Sequence, residues 1–254
     1  MIYSIVPAAG MLSALLLTKN ILVIITAYFS LGAIITYFLY RKTLKAYGNR
    51  DIKDPELVSY GKHLSAMDVI GRVANYIDKI LIFHYLGAAP LAIYSFAIAP
   101  VEQLQSGKKI FSTLILPKIS GKPFEELQKS TPKKTWILVI YALAVAGLWA
   151  LIAPYFYKLL YPQYLDSVFY SQIYSLTLLA VAGTLFNETL MAHQKTKELY
   201  FHRTIMPIAQ LVLFFIMLPL YGLMGLVITH VIIRTSSGIL GYYLVKHPFR
   251  ASSA

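Results

Sequence analysis

The sequence contains no cysteine in its 254 residues. That excludes disulfides, a thiol nucleophile and thiolate-held metal. Charge is the next scarcity: Asp, Glu, Lys and Arg make up 13% of the chain, where a soluble domain carries about a quarter. So few charges cannot cover a globule of this size, and a hydrophobic fraction of 57% with a mean hydropathy of +0.62 leaves lipid as the expected solvent. Histidine is sparse and mostly solitary near block ends: His63, His84, His193, His202, His230 and His247 make no convincing i,i+4 pair with another metal-ligand type. No Gly-rich phosphate loop occurs, and the connections expected on the outer face hold a single acid, Asp166. We therefore expect no catalytic residue, no metal and no cofactor, and a protein that is not an enzyme.

What is present comes in blocks. A bilayer core about 30 Å thick takes roughly 20 helical residues to cross, and apolar blocks of that order lie at 2–17, 21–40, 64–86, 91–117, 136–157, 167–192, 205–220 and 222–245. Membrane β-strands would alternate apolar and polar residues over about ten positions, and runs such as 137–153 do not alternate. The first block is short and carries Pro7 and Gly10, but no Lys or Arg precedes Lys19, so it lacks the basic stretch of a signal peptide. The expected fold is an all-α, polytopic transmembrane bundle of about eight helices. Residues 1–46 read as a helical hairpin, 47–62 as a cytoplasmic linker and 63–247 as a six-helix lobe.

The net charge of +12 is distributed along the chain as a topology signal rather than a nucleic-acid footprint. Arg41, Lys42, Lys45, Arg50, Lys53 and Lys62 follow the second block, and Lys118, Lys122, Lys129, Lys133 and Lys134 follow the fourth. Lys195, Lys197 and Arg203 follow the sixth, and Lys246 and Arg250 close the chain. The alternate connections contribute only Lys19 and Lys158. Sixteen cations against two is the positive-inside pattern. It predicts both termini in the cytoplasm of a cell inner (plasma) membrane protein, with the bilayer as the partner and no role for nucleic acid.

Polar residues inside the blocks carry the functional signal. At 100° per residue, Asp68, Arg72, Asn75 and Lys79 share one face of the third block, with Asp78 beside them. Glu102, Gln105, Lys109 and Thr113 line the fourth, past a bend expected at Pro100. The sixth aligns Thr177, Thr184 and Glu188, and the eighth His230, Arg234, Ser237 and Gly241. An ionisable group at mid-depth costs about 2.5–3.5 kcal/mol in lipid, so these stripes must face protein or water. Two readings follow. The groups pair and join helices, Asp68 with Arg72 and Glu102 or Glu188 with Arg234, or they line a shared hydrated surface. On the second reading the candidate substrate-binding residues are Asp68, Arg72, Asn75, Asp78, Lys79, Glu102, His230 and Arg234.

The run YGKHLSAMDVIGRVANYIDKILIFHYLGAAPLAIYSFA, followed by LPKIS, and the later PYFYKLLYPQY resemble polysaccharide (O-antigen-type) flippases of the multidrug/oligosaccharidyl-lipid/polysaccharide exporter superfamily. The matching features are an acid at Asp78, a Leu-Gly turn at Leu86 and Gly87, an aliphatic-Tyr-Ser step at Ile93, Tyr94 and Ser95, and closing Pro117 and Ser120. Ala92 stands where many members have Gly. The resemblance implies the C-terminal lobe of such a transporter plus the preceding hairpin, with alternating access as its movement. It implies a lipid-linked oligosaccharide diphosphate as cargo, with Arg72 and Arg234 as diphosphate contacts. It also implies a missing first lobe, so that the chain is either completed by a second lobe or copy or is a shortened form. Two other readings stand beside it: a drug/cation antiporter of the same superfamily, and a non-transporting membrane assembly subunit.

Overall fold

In hydrocarbon every backbone N–H and C=O must be satisfied within its own segment or by a neighbour, which selects helices from apolar blocks of this length. The computed structural model describes residues 2–47 and 55–249; among these, the side chains of 2–4, 47, 55–61, 63–64, 66–68, 70, 108–111 and 114 lie outside the description. The fold is all-α. Helices α1 (Ile2–Leu17) and α2 (Ile21–Tyr47) precede α3 (Pro55–Leu86), α4 (Ala88–Ser120) and α5 (Phe124–Leu160), then α6 (Ser167–Tyr174), α7 (Val181–Ala192) and α8 (Thr196–Lys246). Short 3₁₀ segments occupy Pro162–Tyr164 and Ser175–Ala180, and no strand occurs among the described residues. Among the described residues, four stretches are long and apolar enough to cross a membrane: Ile21–Ala46, Phe124–Leu160, Ser167–Ala192 and Thr196–Lys246. Large apolar side chains stand exposed along them, among them Leu151, Ile216 and Ile239, as expected of a protein whose outer solvent is lipid.

Helix α8 counts twice. Its 51 residues would stretch roughly 75 Å as one rod, but the chain reverses at Gly222, whose φ of 58° and ψ of −140° only glycine adopts freely. Contacts across the reversal show two antiparallel arms, 196–221 and 223–246: His202 Nε2 lies 3.0 Å from the Ser237 carbonyl, and Phe214 packs on the His230 ring. The same device at Gly87, with φ of 91°, turns α3 into α4. The Gly87 N–H there reaches the Ile82 and Phe83 carbonyls, both at 3.1 Å.

The chain forms two compact units, Met1–Ser59 and Tyr60–Ala254. In the first, α1 packs on α2, with Pro7 against Gly32 and Gly10 against Leu31. Its few hydroxyls bond to their own helices, Thr26 to the Leu22 carbonyl and Thr36 to that of Gly32, each at 2.7 Å. That satisfies them in lipid without a partner. The helix α3 begins at Pro55, so the later part of 47–62 continues a helix; residues 48–54 fall outside the described residues.

In the second unit the connections segregate by charge. One end joins α4 to α5 and α7 to α8: His193 Nε2 lies 3.0 Å from the Lys122 carbonyl, and Gln128 donates to the Val245 carbonyl at 2.7 Å. This end carries Lys118, Lys122, Lys129, Lys133, Lys134, Lys195, Lys197 and Lys246. The other end holds Gly87, Gly222 and an aromatic cluster in which Phe96 stacks on Tyr164 at 3.8 Å, with Lys158 as its cation.

Of the prolines inside helices, Pro100 and Pro154 each free a carbonyl four residues earlier that finds a side chain. Pro100 strips the Phe96 carbonyl of its N–H, and the Tyr157 hydroxyl donates to it at 2.7 Å. Pro154 does the same to Ala150, which accepts from Gln172 at 2.8 Å. The span 167–192 is interrupted rather than continuous. Ser175 donates to the Gln172 carbonyl and Thr177 to that of Tyr174, both at 2.6 Å. These bonds to i−3 compete for the helix's own acceptors and tighten it into the 3₁₀ segment Ser175–Ala180. Below that break, α7 crosses the second arm of α8 at backbone contact. A Cβ on Gly183 would come within 2.9 Å of the Gly238 Cα.

Candidate functional site

The lower-priority residue of the third block, Asp78, proves to be the centre of the bundle. It is 1% exposed, as buried as any apolar residue around it. A carboxylate so placed requires donors on several sides, and three converge. Tyr94 Oη of α4 donates to Oδ2 at 2.6 Å, the Lys79 backbone N–H donates to Oδ1 at 2.8 Å, and His230 Nε2 of α8 lies 3.2 Å from Oδ2. An ionised carboxylate can only accept, so with Asp78 ionised this contact calls for a proton on His230 Nε2. The His230 ring is held edge-on by Tyr174 and Phe214, with centroids 5.5 and 5.1 Å away.

Tyr174 links this triad to a second one. Its hydroxyl donates to Glu102 Oε1, and the same oxygen accepts from Arg234 Nη2 at 2.7 Å. The Arg234 guanidinium also stands 5.3 Å from the centre of the Tyr174 ring, a cation–π contact. Unlike Asp78, this pair is partly open: the side chains of Arg234 and Glu102 are 20% and 40% exposed. Arg234 Nη1 is buried and has no hydrogen-bond partner. The predicted pairing of Glu102 with Arg234 thus forms, and Glu188 instead accepts from Ser112.

These contacts belong to a ladder between parallel neighbours. Running toward the basic end, α4 meets the 167–192 span at Ile93–Ser167, Glu102–Tyr174, Gln105–Thr177 and Ser112–Glu188. The stripes predicted on the fourth and sixth blocks therefore face each other. Glu188 Oε2 is left buried without a partner at the last rung.

Arg72 and Asn75 lie elsewhere. They line a separate cleft of about 400 Å³ with Gly71, His202, Arg203, Met206 and Pro207, between α3 and the first arm of α8. A hydrogen bond from buried Gln210 to the Ala74 carbonyl, 3.0 Å long, sets the register of the two helices just beyond it. Lys79 sits over the Tyr76 ring at 5.6 Å. The Asp68 side chain, and with it the expected Asp68–Arg72 pair, is outside the described residues. The single surface expected from the stripes of α3 and α8 thus resolves into two regions among the described residues, because His230 turns inward onto Asp78 while Arg72 opens onto the cleft.

Four participants were missed in the sequence: Tyr94, Tyr174, His202 and Arg203. Tyrosine in a membrane span reads as an interface residue, which hides a buried donor. The signal for Tyr174 was available, since it precedes Thr177 by three and Glu188 by fourteen residues and so extends their stripe. No protein-family model, no curated protein and no solved structure matches the chain.

Proposed function

We propose that this chain is a membrane transporter that flips lipid-linked oligosaccharide or polysaccharide precursors across the cytoplasmic membrane. The observation that carries the transporter reading is the partly open Glu102–Arg234–Tyr174 triad, which sits beside two helix interruptions, Pro100 and the 3₁₀ segment Ser175–Ala180. Ionisable groups at membrane depth next to broken helices are the arrangement transporters use at their substrate sites. The flippase class comes from the resemblance of the 60–120 region and of PYFYKLLYPQY, and the anionic cargo it implies suits a bundle with arginines at depth. The segregation of lysines to one end supports cytoplasmic termini.

One observation favours a second reading. The two linked triads contain two carboxylates, Asp78 and Glu102, against one arginine, and acid-led sites suit a drug/cation antiporter. Ligand-induced thermal stabilisation of the purified protein separates the readings. Stabilisation by a polyprenyl-diphosphate oligosaccharide, and not by cationic dyes, is the expected result; stabilisation by the dyes alone would transfer the protein to the antiporter class, and neither effect would leave the assembly-subunit reading. Orientation is tested in the same cysteine-free background. Gln163→Cys and Lys129→Cys, both at exposed positions, should react with an impermeant thiol reagent from outside and inside respectively, and labelling of Lys129→Cys in intact cells would reverse the topology.

A further inference from the structure

We infer that the cleft between α5 and the crossing of α7 with the second arm of α8 binds one acyl chain of an anionic phospholipid from the leaflet at the basic end. The cleft measures about 460 Å³, within the range of small-molecule sites. Its walls belong to three stretches long and apolar enough to cross a membrane, so lipid is the medium that reaches it. The depth comes from glycine. Gly183 and Gly238 bring α7 and α8 to backbone contact, and both line the cleft, leaving a channel where side chains would otherwise stand.

The walls change in chemistry along their length in the order that a phospholipid does. The bond from Gln128 to the Val245 carbonyl sets the start of α5 beside the end of α8. The next residue on each is an exposed lysine, Lys129 and Lys246. On α5 the positions 129, 132, 136 and 139 share one helical face, and the last three line the cleft. On α8 the positions 246, 242, 239 and 235 do the same, and Lys246 Nζ stands 5.8 Å from the centre of the Tyr242 ring. Lysines at the mouth thus give way to Trp136 and Tyr242, residues of a membrane interface, and then to Val139, Leu179 and Ile239.

One polar atom in the wall points to the occupant. Thr135 lines the cleft, and its Oγ1 is buried with no hydrogen-bond partner among the described residues. Thr26, Thr36, Thr189 and Thr229 each donate to the carbonyl four residues earlier, and Thr135 does not. It lies roughly 9 Å along α5 from Lys129, and the headgroup layer is about 5–8 Å deep on each side of the hydrocarbon. That is the level of a lipid's ester carbonyl, which accepts from a hydroxyl. The acyl chain beyond it fills the apolar part of the cleft. The phosphate meets the end where lysines outnumber the acids Glu125, Glu126 and Glu198. The inference rests on the fold and not on the flippase reading.

The test is lipid binding counted by native mass spectrometry on the detergent-solubilised protein, with phosphatidylglycerol as the probe. Val139→Trp fills the cleft, while Ile140→Trp adds the same bulk at the same depth on an exposed position outside the lining. The first should lose about tenfold in affinity and the second less than about twofold. Thr135→Val keeps the side chain's shape, so lipid-free unfolding should match the parent while phosphatidylglycerol affinity falls about threefold. That variant decides the matter if Val139→Trp does not fold. Lys129→Gln/Lys246→Gln should lose more affinity than Lys118→Gln/Lys122→Gln, which removes equal charge from the same end away from the cleft. Equal loss in the two tryptophan variants, or unchanged affinity in Thr135→Val, would overturn the site. Phosphatidylcholine bound as tightly as phosphatidylglycerol would overturn its preference for anionic lipid. Displacement of phosphatidylglycerol by an equal concentration of polyprenyl phosphate would overturn its assignment to phospholipid.

Discussion

Around Asp78 the bundle encloses its charge: four groups from α3, α4, α6 and α8 reach one another through Tyr94, His230 and Tyr174, and water is kept from the carboxylate. Around Arg72 the charge is left at the edge, in a cleft that only two segments form. Both regions lie on α3, less than two turns apart. The difference lies in what each polar group is given. A carboxylate surrounded by fixed donors is satisfied within the protein and holds helices together. Arg72 instead stands exposed at the edge of its cleft, outside that network.

The comparison breaks first at Asp78. Asp78→Ala should destabilise the protein by about 3 kcal/mol, because the Tyr94 hydroxyl and the His230 ring both lose their buried acceptor and each orphaned group costs about 1–3 kcal/mol. Asp78→Asn keeps an acceptor oxygen and should lose less than half as much. Unfolding in mixed micelles by a denaturing detergent measures both, and a loss under 1 kcal/mol for the alanine variant would show that the enclosure contributes little.

The next effect is smaller because Glu102 and Arg234 are partly open. A double-mutant cycle with Glu102→Ala and Arg234→Ala should return a coupling of about 1–2 kcal/mol. A coupling near zero would mean that solvent screens the pair as it does on a surface, and would move Arg234 from the enclosed region to the open one.

Smaller again is the hydrogen bond that repairs the Pro100 break. Tyr157→Phe should cost about 1 kcal/mol, since the Phe96 carbonyl then has neither its helical N–H nor the Tyr157 hydroxyl. In a Pro100→Ala background the same substitution should cost almost nothing, because Ala at that position restores the backbone donor. Equal costs in both backgrounds would contradict the proposed repair.

The helices were legible in the sequence because block length and helical periodicity respond to an apolar solvent, and among the described residues four stretches are long and apolar enough to cross a membrane. The reversals at Gly87 and Gly222 fall in the short gaps between apolar blocks, and the structure gives both glycines the positive φ that glycine adopts readily. The pairing of Glu102 with Arg234 was readable as well, since acids and bases at one depth have few partners. The division between an enclosed and an open region was not. It depends on which way α3 is rotated, and at that resolution Asp78 and Arg72 fall on the same stripe. The 3₁₀ segment was hidden for another reason: Ser175 and Thr177 disturb a helix only when their hydroxyls turn back onto carbonyls three residues earlier, and composition does not reveal that rotamer choice.

The smallest expected effect tests the open region. Arg72 is exposed at the cleft, so removing its charge removes no core packing, and Arg72→Gln should leave unfolding stability in lipid-free detergent within about 0.5 kcal/mol of the parent. If Arg72→Gln instead destabilises the lipid-free protein by 2 kcal/mol or more, in the range of a broken buried pair, then Arg72 is tied into the bundle as firmly as Asp78, and the contrast between the two regions collapses.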